Sequence, residues 1–246
     1  MRRRTIGCLI TGAGAVALCA LALCISACVI LSPRARRGAE ELTPRPLRGP
    51  IRHVIWRVQG QHTVSDRMAT YGPRHRPKWR RRFERAGLTY PPPRLALVGL
   101  KRERRLQIYA PDESGQWVHV HTARIQKLSG GPGPKLARGD RQVPEGLYRI
   151  DFLNPNSSNH LSMRISYPSG RDRARAREDG RDDMGGEIYI HGKRTSIGCL
   201  AMGDVFIEQL FVLVGDVGAG SVEVILSPAD LRRRRPPQVS GGPQDR

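Results

Sequence analysis

Hydrophobic and polar positions follow three different patterns along this chain. Between residues 5 and 32 they make one uncharged apolar run, "IGCLITGAGAVALCALALCISACVIL", preceded by the basic "MRRR". From residue 94 onward apolar positions alternate with polar ones in short bursts: "LALVGL" (95–100), "RRLQIYA" (104–110), "QWVHVHTARI" (116–125), "GLYRIDFL" (146–153), "HLSMRISY" (160–167), "GEIYIHG" (186–192) and "SVEVILSP" (221–228). Period-two alternation bounded by charged or Pro/Asp/Gly turns predicts strands, the first three joined as antiparallel hairpins. A helical period appears in "GDVFIEQLFVLVGDVG", where Val205, Ile207, Leu210, Phe211 and Val214 share a face and Asp204 stands near the N-terminus. A second, shorter helix is expected from Pro77 to Ala86, with Gly87 at its end and the triple proline 91–93 forcing the chain extended. The expected fold is mainly β with one or two helices.

The first 31 residues have the charged start and apolar stretch of an export signal, and the 26 uncharged residues are also long enough to cross a bilayer. "ISAC" (25–28) resembles the lipobox of bacterial lipoproteins, which implies cleavage after Ala27 and a lipid on Cys28; an uncleaved anchor and an ordinary signal are the alternatives. Each reading exports the rest of the chain to the cell envelope, tethered to the membrane in the first two. Residues 32–73, proline- and arginine-rich, read as a linker. Residues 74–228 read as one folded domain and 229–246, with "RRRRPPQVSGGPQDR", as a disordered basic tail.

Charge refines this picture. The formal charge of +20 is uneven: residues 1–93 carry 18 Lys/Arg against 4 Asp/Glu, residues 94–226 carry 19 against 16, and residues 227–246 carry 5 against 2. A basic flank suits an anionic surface such as lipid headgroups or wall polymer, where each cation near the surface contributes about 1 kcal/mol. Nucleic acid is not an expected partner. With 4 Phe, 6 Tyr and 3 Trp the chain lacks the interleaved stacking residues such binding uses.

Four of the five cysteines, at 8, 19, 24 and 28, lie in the apolar leader; the fifth is Cys199. A thiol becomes a strong nucleophile only with a base or positive electrostatics beside it. His191 ends the apolar "EIYI" and precedes Gly192, which lets the chain turn at once. Cys199 follows Gly198 and precedes the helix expected near Gly203, so helix amides are expected to favour a thiolate and an oxyanion. Strand end, turn, nucleophile and helix start suit acyl transfer, while a buried filler cysteine and a structural histidine are the alternative. His119 and His121 share one strand face and are expected to be solvent-exposed. No close Cys/His pair exists, so neither a metal nor a cofactor is expected.

His191-Gly192 followed by Ser196-Ile197-Gly198-Cys199 resembles the signature of the YkuD-type L,D-transpeptidase catalytic domain, in particular its YafK-like murein branch. "GPKLARGDRQVPEGLYRI" (133–150), "NPNSSNHLSMRISYPSGRDRA" (154–174) and "GGEIYIHG" (185–192) extend the likeness over about residues 74–228. It implies a β-sandwich-like domain acting on peptidoglycan stem peptides, with Cys199 as nucleophile, His191 as general base, the amides at Gly198 and Cys199 as oxyanion donors, Ser196 as a loop-shaping hydrogen-bonder and His160 lining the groove. Asn154, Asp172 and Arg173 lie in matching stretches and are expected to serve turns. Two positions depart from the common motif: Ile197 stands where a histidine is usual and Ala201 where an arginine is usual. The missing arginine leaves open whether an amine or water accepts the acyl group. An envelope lipoprotein linked to peptidoglycan is a further partner the branch implies, and a non-catalytic wall-binding module is the contrasting class.

Overall fold

The computed structural model describes residues 61–232. The leader 1–31 with Cys28, most of the expected linker and the tail beyond Arg232 lie outside them. Among the described residues no helix is long and apolar enough to cross a membrane.

Among the described residues the first element is α1 (Val64–Arg85), followed by β1 (Leu95–Leu100), β2 (Arg105–Pro111), β3 (Trp117–Arg124), β4 (Gly146–Asn154) and β5 (Ser162–Ile165). Helix α2 (Gly170–Glu178), β6 (Tyr189–His191), β7 (Leu200–Ala201), α3 (Asp204–Val217), a 3-10 turn (Ala219–Ser221) and β8 (Val222–Ser227) complete it. The eight strands of the described residues join one sheet in the order β3-β2-β1-β8-β4-β5-β6-β7. The expected hairpins β1–β2 and β2–β3 are antiparallel, whereas β8 lies parallel to β1 and antiparallel to β4. Lys127, three residues past β3 at one end of the order, exchanges backbone hydrogen bonds with Ala201 of β7 at the other end (2.9 and 3.2 Å). The sheet therefore curls until its two ends meet, and β4 bends at a bulge between Ile150 and Phe152.

Helix α3 is packed against this curl. Ile207, Leu210, Phe211, Leu213 and Val214 are fully buried, and side chains of this size stabilise by about 1.5–3 kcal/mol each when taken from water. Helix α1 covers α3. Its Gly72, His75, Trp79 and Phe83 recur at helical spacing and are buried, and the Trp79 indole N–H donates to the Gln209 carbonyl at 2.7 Å. Arg76 forms a bidentate pair with Asp216, whose carboxylate also accepts from Tyr90 at 2.5 Å.

Helix α1 starts thirteen residues earlier than expected, inside the stretch read as linker. Pro73 and Pro77 both lie within the helix, although proline removes a helical N–H. A Thr63–Asp66 capping box starts it, and the buried stripe against α3 carries it through the prolines. Gly87, at φ +70, follows its C-cap as expected. Helix α2 is an additional element, capped by Ser169 with Asp172 in a second capping box. At the other end, Ala229 and Asp230 are buried and Arg232 bonds Asp230, Tyr109 and Gln107, so the packed chain runs four residues past Pro228.

Replacing Trp79 by Ala removes the indole that joins α1 to α3 and strands the Gln209 contact. The expected cost is about 3–5 kcal/mol, read as a lower urea midpoint; a loss below 1 kcal/mol would mean that α1 is only loosely attached.

Candidate active site

His191 closes β6, opposite Ser162 of β5 and beside Ala201 of β7. It is 2% exposed, and its Nδ1 lies 2.6 Å from the Gly192 carbonyl oxygen. A carbonyl only accepts, so Nδ1 carries the proton and Nε2 keeps a basic lone pair. Burial, reinforced by the Lys193 charge and partly opposed by the Gly192 bond, pushes the His191 imidazole below its ordinary pKa.

Cys199 is half-buried and free. The parallel β6–β7 register sets its backbone beside Tyr189, two residues before His191, an offset of about 7 Å along the strands. Its Sγ accepts from the Tyr189 amide at 3.4 Å and faces the Glu187 carbonyl at 3.9 Å. Burial raises the thiol pKa, with the Tyr189 amide and the Lys135 ammonium pulling the other way. Thiol and imidazole are therefore both neutral at rest. Among the described residues no hydrogen bond joins them; such bonds often tighten only with substrate in place.

Helix α3 does not deliver its amides to the thiol. Strand β7 and Met202 intervene before Gly203, the N-cap at φ +78, and the amide that bonds Sγ belongs to Tyr189. The amide of Cys199 is also engaged: it donates to Ser196 Oγ at 3.1 Å, while that hydroxyl donates to the Cys199 carbonyl at 2.5 Å. Ser196 thus staples the turn that presents the thiol. Gly198, at φ +122, occupies backbone space that disfavours any side chain, and a Cβ there would approach the Gln142 carbonyl at 3.5 Å. Ile197 is 81% exposed on the same turn, whereas Ala201 is fully buried beneath the Lys127 bridge.

The segment that reaches over this turn, between β3 and β4, is pinned by two buried lysines. Lys101 Nζ donates to the carbonyls of Gly133 (2.8 Å) and Val143 (2.7 Å) and pairs with Glu145 at 2.9 Å. Lys135 Nζ reaches Ala137 O at 2.8 Å and Asp140 at 2.6 Å. Burial opposes ionisation of Asp140, but Lys135 and three amides hold its pKa at about 2. These lysines escaped the sequence reading because nothing local marks a lysine as buried.

His160 lies where it touches the back of the His191 corner. Its ring bonds Glu208 Oε1 at 2.9 Å and meets Tyr71 edge-on at 5.8 Å. A Cβ on Gly192 would fall 3.1 Å from His160 Cβ, 2.6 Å from the Asn159 carbonyl and 2.8 Å from Asp204 Oδ1, so only glycine fits. Asn154, Asp172 and Arg173 hold turns and a helix cap through Asn156 N, Ser169 and Pro168 O. His119 and His121 part company because the β2–β3 register slips past Val120. His119 is exposed and bonds Thr122, but His121 is wedged between Trp79 and Phe206, with burial driving its pKa to about 4.

Among the described residues, the curled sheet carries one cysteine, just before β7, and a tautomer-locked imidazole at the end of β6. The chain belongs to the L,D-transpeptidase catalytic domain (YkuD) family, whose profile matches residues 93–224. It is 35% identical over 145 residues to the YafK proteins of Escherichia coli K12 and O157:H7, covering 55% of this chain and 56% of theirs. The chain thus spans about half the length of the curated relatives it matches. Among solved structures it is similar to the helical cell shape determining protein Pgp2 of Campylobacter jejuni (TM-score 0.46, 23% identity, 56% of this chain and 48% of that one). Bd1075 of Bdellovibrio bacteriovorus is also similar (TM-score 0.40, 17% identity, 55% and 48%).

The depressed His191 pKa sets the sign of a pH effect. Protonated imidazole cannot accept a proton, and burial keeps the ring neutral to lower pH than usual. Iodoacetamide modification of Cys199, followed on its own peptide, is therefore expected to fall with a midpoint below pH 6.5 and to rise again above pH 9 as the thiol ionises. An acid midpoint above 6.5 would contradict the geometry.

Proposed function

We propose that this domain is an envelope cysteine acyltransferase acting on peptidoglycan stem peptides. The observation that carries the reading is the His191 Nδ1–H to Gly192 bond, which leaves Nε2 basic on β6, two residues along the parallel register from the turn that presents Cys199; family membership supplies the substrate class. In this reading His191 Nε2 takes the thiol proton as Sγ attacks the carbonyl carbon of the third, diamino-acid residue. The carbonyl oxygen becomes an oxyanion. Collapse breaks the C–N bond, and His191 returns its proton to the departing D-amino acid's nitrogen, leaving a thioester on Cys199. An amine or water then attacks the thioester with His191 again as base. The two acceptors distinguish a transpeptidase from a hydrolase, and cleavage of a lipoprotein link would follow the second route.

Because Ser196 occupies the Cys199 amide, the Gly198 amide is the available first oxyanion donor, and a second would require Ser196 to turn away. Exposed Ile197 offers an apolar lip beside the thiol. Buried Ala201 supplies no charge for a substrate carboxylate, so that role passes to other cations. The leader would tether the domain to the membrane through a lipid on Cys28 or an uncleaved anchor.

The test is mass spectrometry of purified muropeptides incubated with the protein, its Cys199→Ala form and its His191→Ala form. A product that needs Cys199 and falls at least a hundredfold without His191 is expected, and its mass reports amine or water as acceptor. Product formation unaffected by Cys199→Ala would end the reading.

One observation favours wall binding as a second activity. Arg102, Arg104, Arg105 and Arg124 line one cavity of about 560 Å³, and Arg105 and Arg124 are directly opposed across β2–β3, where like charges repel. Glu103, the carboxylate among them, accepts from the Asp230 amide. An anionic polymer would relieve that repulsion. Pelleting with isolated wall material is expected to weaken severalfold on doubling the salt and on Arg105→Gln/Arg124→Gln substitution; pelleting insensitive to both would remove this activity.

A further inference from the structure

A polar cluster behind the His191 corner surrounds Glu208 of α3. His160 Nε2 donates to its Oε1 at 2.9 Å, and His75 Nε2, from α1, donates to its Oε2 at 3.2 Å. The acceptor is a carboxylate, so both rings carry their proton on Nε2. His75 is fully buried, and its Nδ1 has no hydrogen-bond partner among the described residues. Three polar side chains from three elements, one with an orphaned nitrogen, make an expensive way to join helices that already share Trp79, Phe83 and Phe211. Their placement suggests another use.

His160 adopts φ +76, a left-handed conformation uncommon outside glycine, although asparagine, aspartate and histidine take it more often than other residues. The Glu208 bond and the Tyr71 ring hold it there. In that conformation the His160 Cβ and the Asn159 carbonyl are pressed against Gly192, whose amide donates to the Leu161 carbonyl at 3.0 Å. On the far side the next amide, of Lys193, donates to Asp204 Oδ1 at 2.7 Å, one helical turn before Glu208. The carbonyl of Gly192, clamped between these contacts, is the group that accepts from His191 Nδ1.

We propose that Glu208, acting through His160, is the positioning residue for His191: it holds the 159–161 turn against Gly192 and so aims the carbonyl that selects the working tautomer. The inference rests on His191 being the base that activates Cys199. The charged and titratable groups facing this corner are Lys193 and Asp204 on its open side, Glu208 with His75 behind it, and Tyr71 with Arg67 on α1.

The test uses the full chain, the two variants Glu208→Gln and His160→Asn, and His191→Asn as the control for the base. Asparagine tolerates positive φ, so His160→Asn keeps the backbone while cutting the link. Two readouts are taken well below the unfolding temperature of each form: iodoacetamide modification of Cys199 from pH 4.5 to 9.5, and the ¹⁵N shifts of the His191 ring. Both variants are expected to slow modification at pH 7 at least fivefold and to move the acid midpoint upward, because a loosened corner admits water to a ring that burial had kept neutral. The His191 shifts are expected to change from one tautomer toward a mixture. Wild-type rate, midpoint and shifts in both variants would overturn the proposal. So would slower modification with midpoint and tautomer unmoved, the result for a merely structural tie. If His191→Asn leaves the wild-type profile unaltered, the base reading itself fails and the positioning role falls with it, a result separable from the other two.

Discussion

Everything at the thiol site depends on how closely the backbone can approach Gly192. The Asn159 carbonyl, the Asp204 carboxylate and the His160 side chain converge on its α-carbon at distances no methyl group could share. That convergence lets β6 end abruptly, turns the Gly192 carbonyl back onto its own neighbour's imidazole and anchors the next residue to the start of α3. A bulkier residue would separate β5, β6 and α3 and release the histidine from the one acceptor that determines its tautomer. The chemistry of His191 is therefore a consequence of packing behind it.

Burial then decides the charge state. Both reacting groups are withdrawn from water, and desolvation disfavours the charged form of each, lowering the imidazole pKa and raising that of the thiol. In the proposed reaction this neutral pair would develop charge only as a bond forms, when an oxyanion and an imidazolium appear together. Around it, ion pairs serve as fasteners. Lys101 and Lys135 hold the β3–β4 segment, Arg76 and Asp216 hold α1 to α3, and Asp140 remains charged because a lysine and three amides surround it. Among the described residues, Lys101 and Lys135 are buried and organise the fold, whereas Arg102, Arg104, Arg105 and Arg124 gather at one end of the sheet.

Strands were legible where alternation survives, as in β2 and β8, and β1 as a short apolar run buried at nearly every position; the two-residue β7 carries no such pattern. Helix α3 was legible from its apolar period, and Cys199 and His191 from their isolation beside glycines. The misreadings share a cause. Pro73 and Pro77 hid the first half of α1, although the Thr63–Asp66 pair and the spacing of Gly72, His75, Trp79 and Phe83 were present to be read. His121 was assigned to solvent because a register slip at Val120 cannot be seen in period-two alternation. The helix expected to serve the thiol proved to start beyond an intervening two-residue strand.

What the sequence determined by itself is therefore local: which segments alternate, which helix is apolar, and which cysteine and histidine stand at glycine-marked turns, since propensity and period act between near neighbours. The tertiary structure decided what depends on residues far apart in the chain. The closure of the sheet through Lys127 and Ala201, the occupation of the Cys199 amide by Ser196, and the clasp of Glu208 by His75 and His160 belong to this group. The last joins residues 133 and 48 positions apart. Neither histidine carries a local mark of that role, because a hydrogen bond across the core is specified by how α1 and α3 pack and not by the residues beside it.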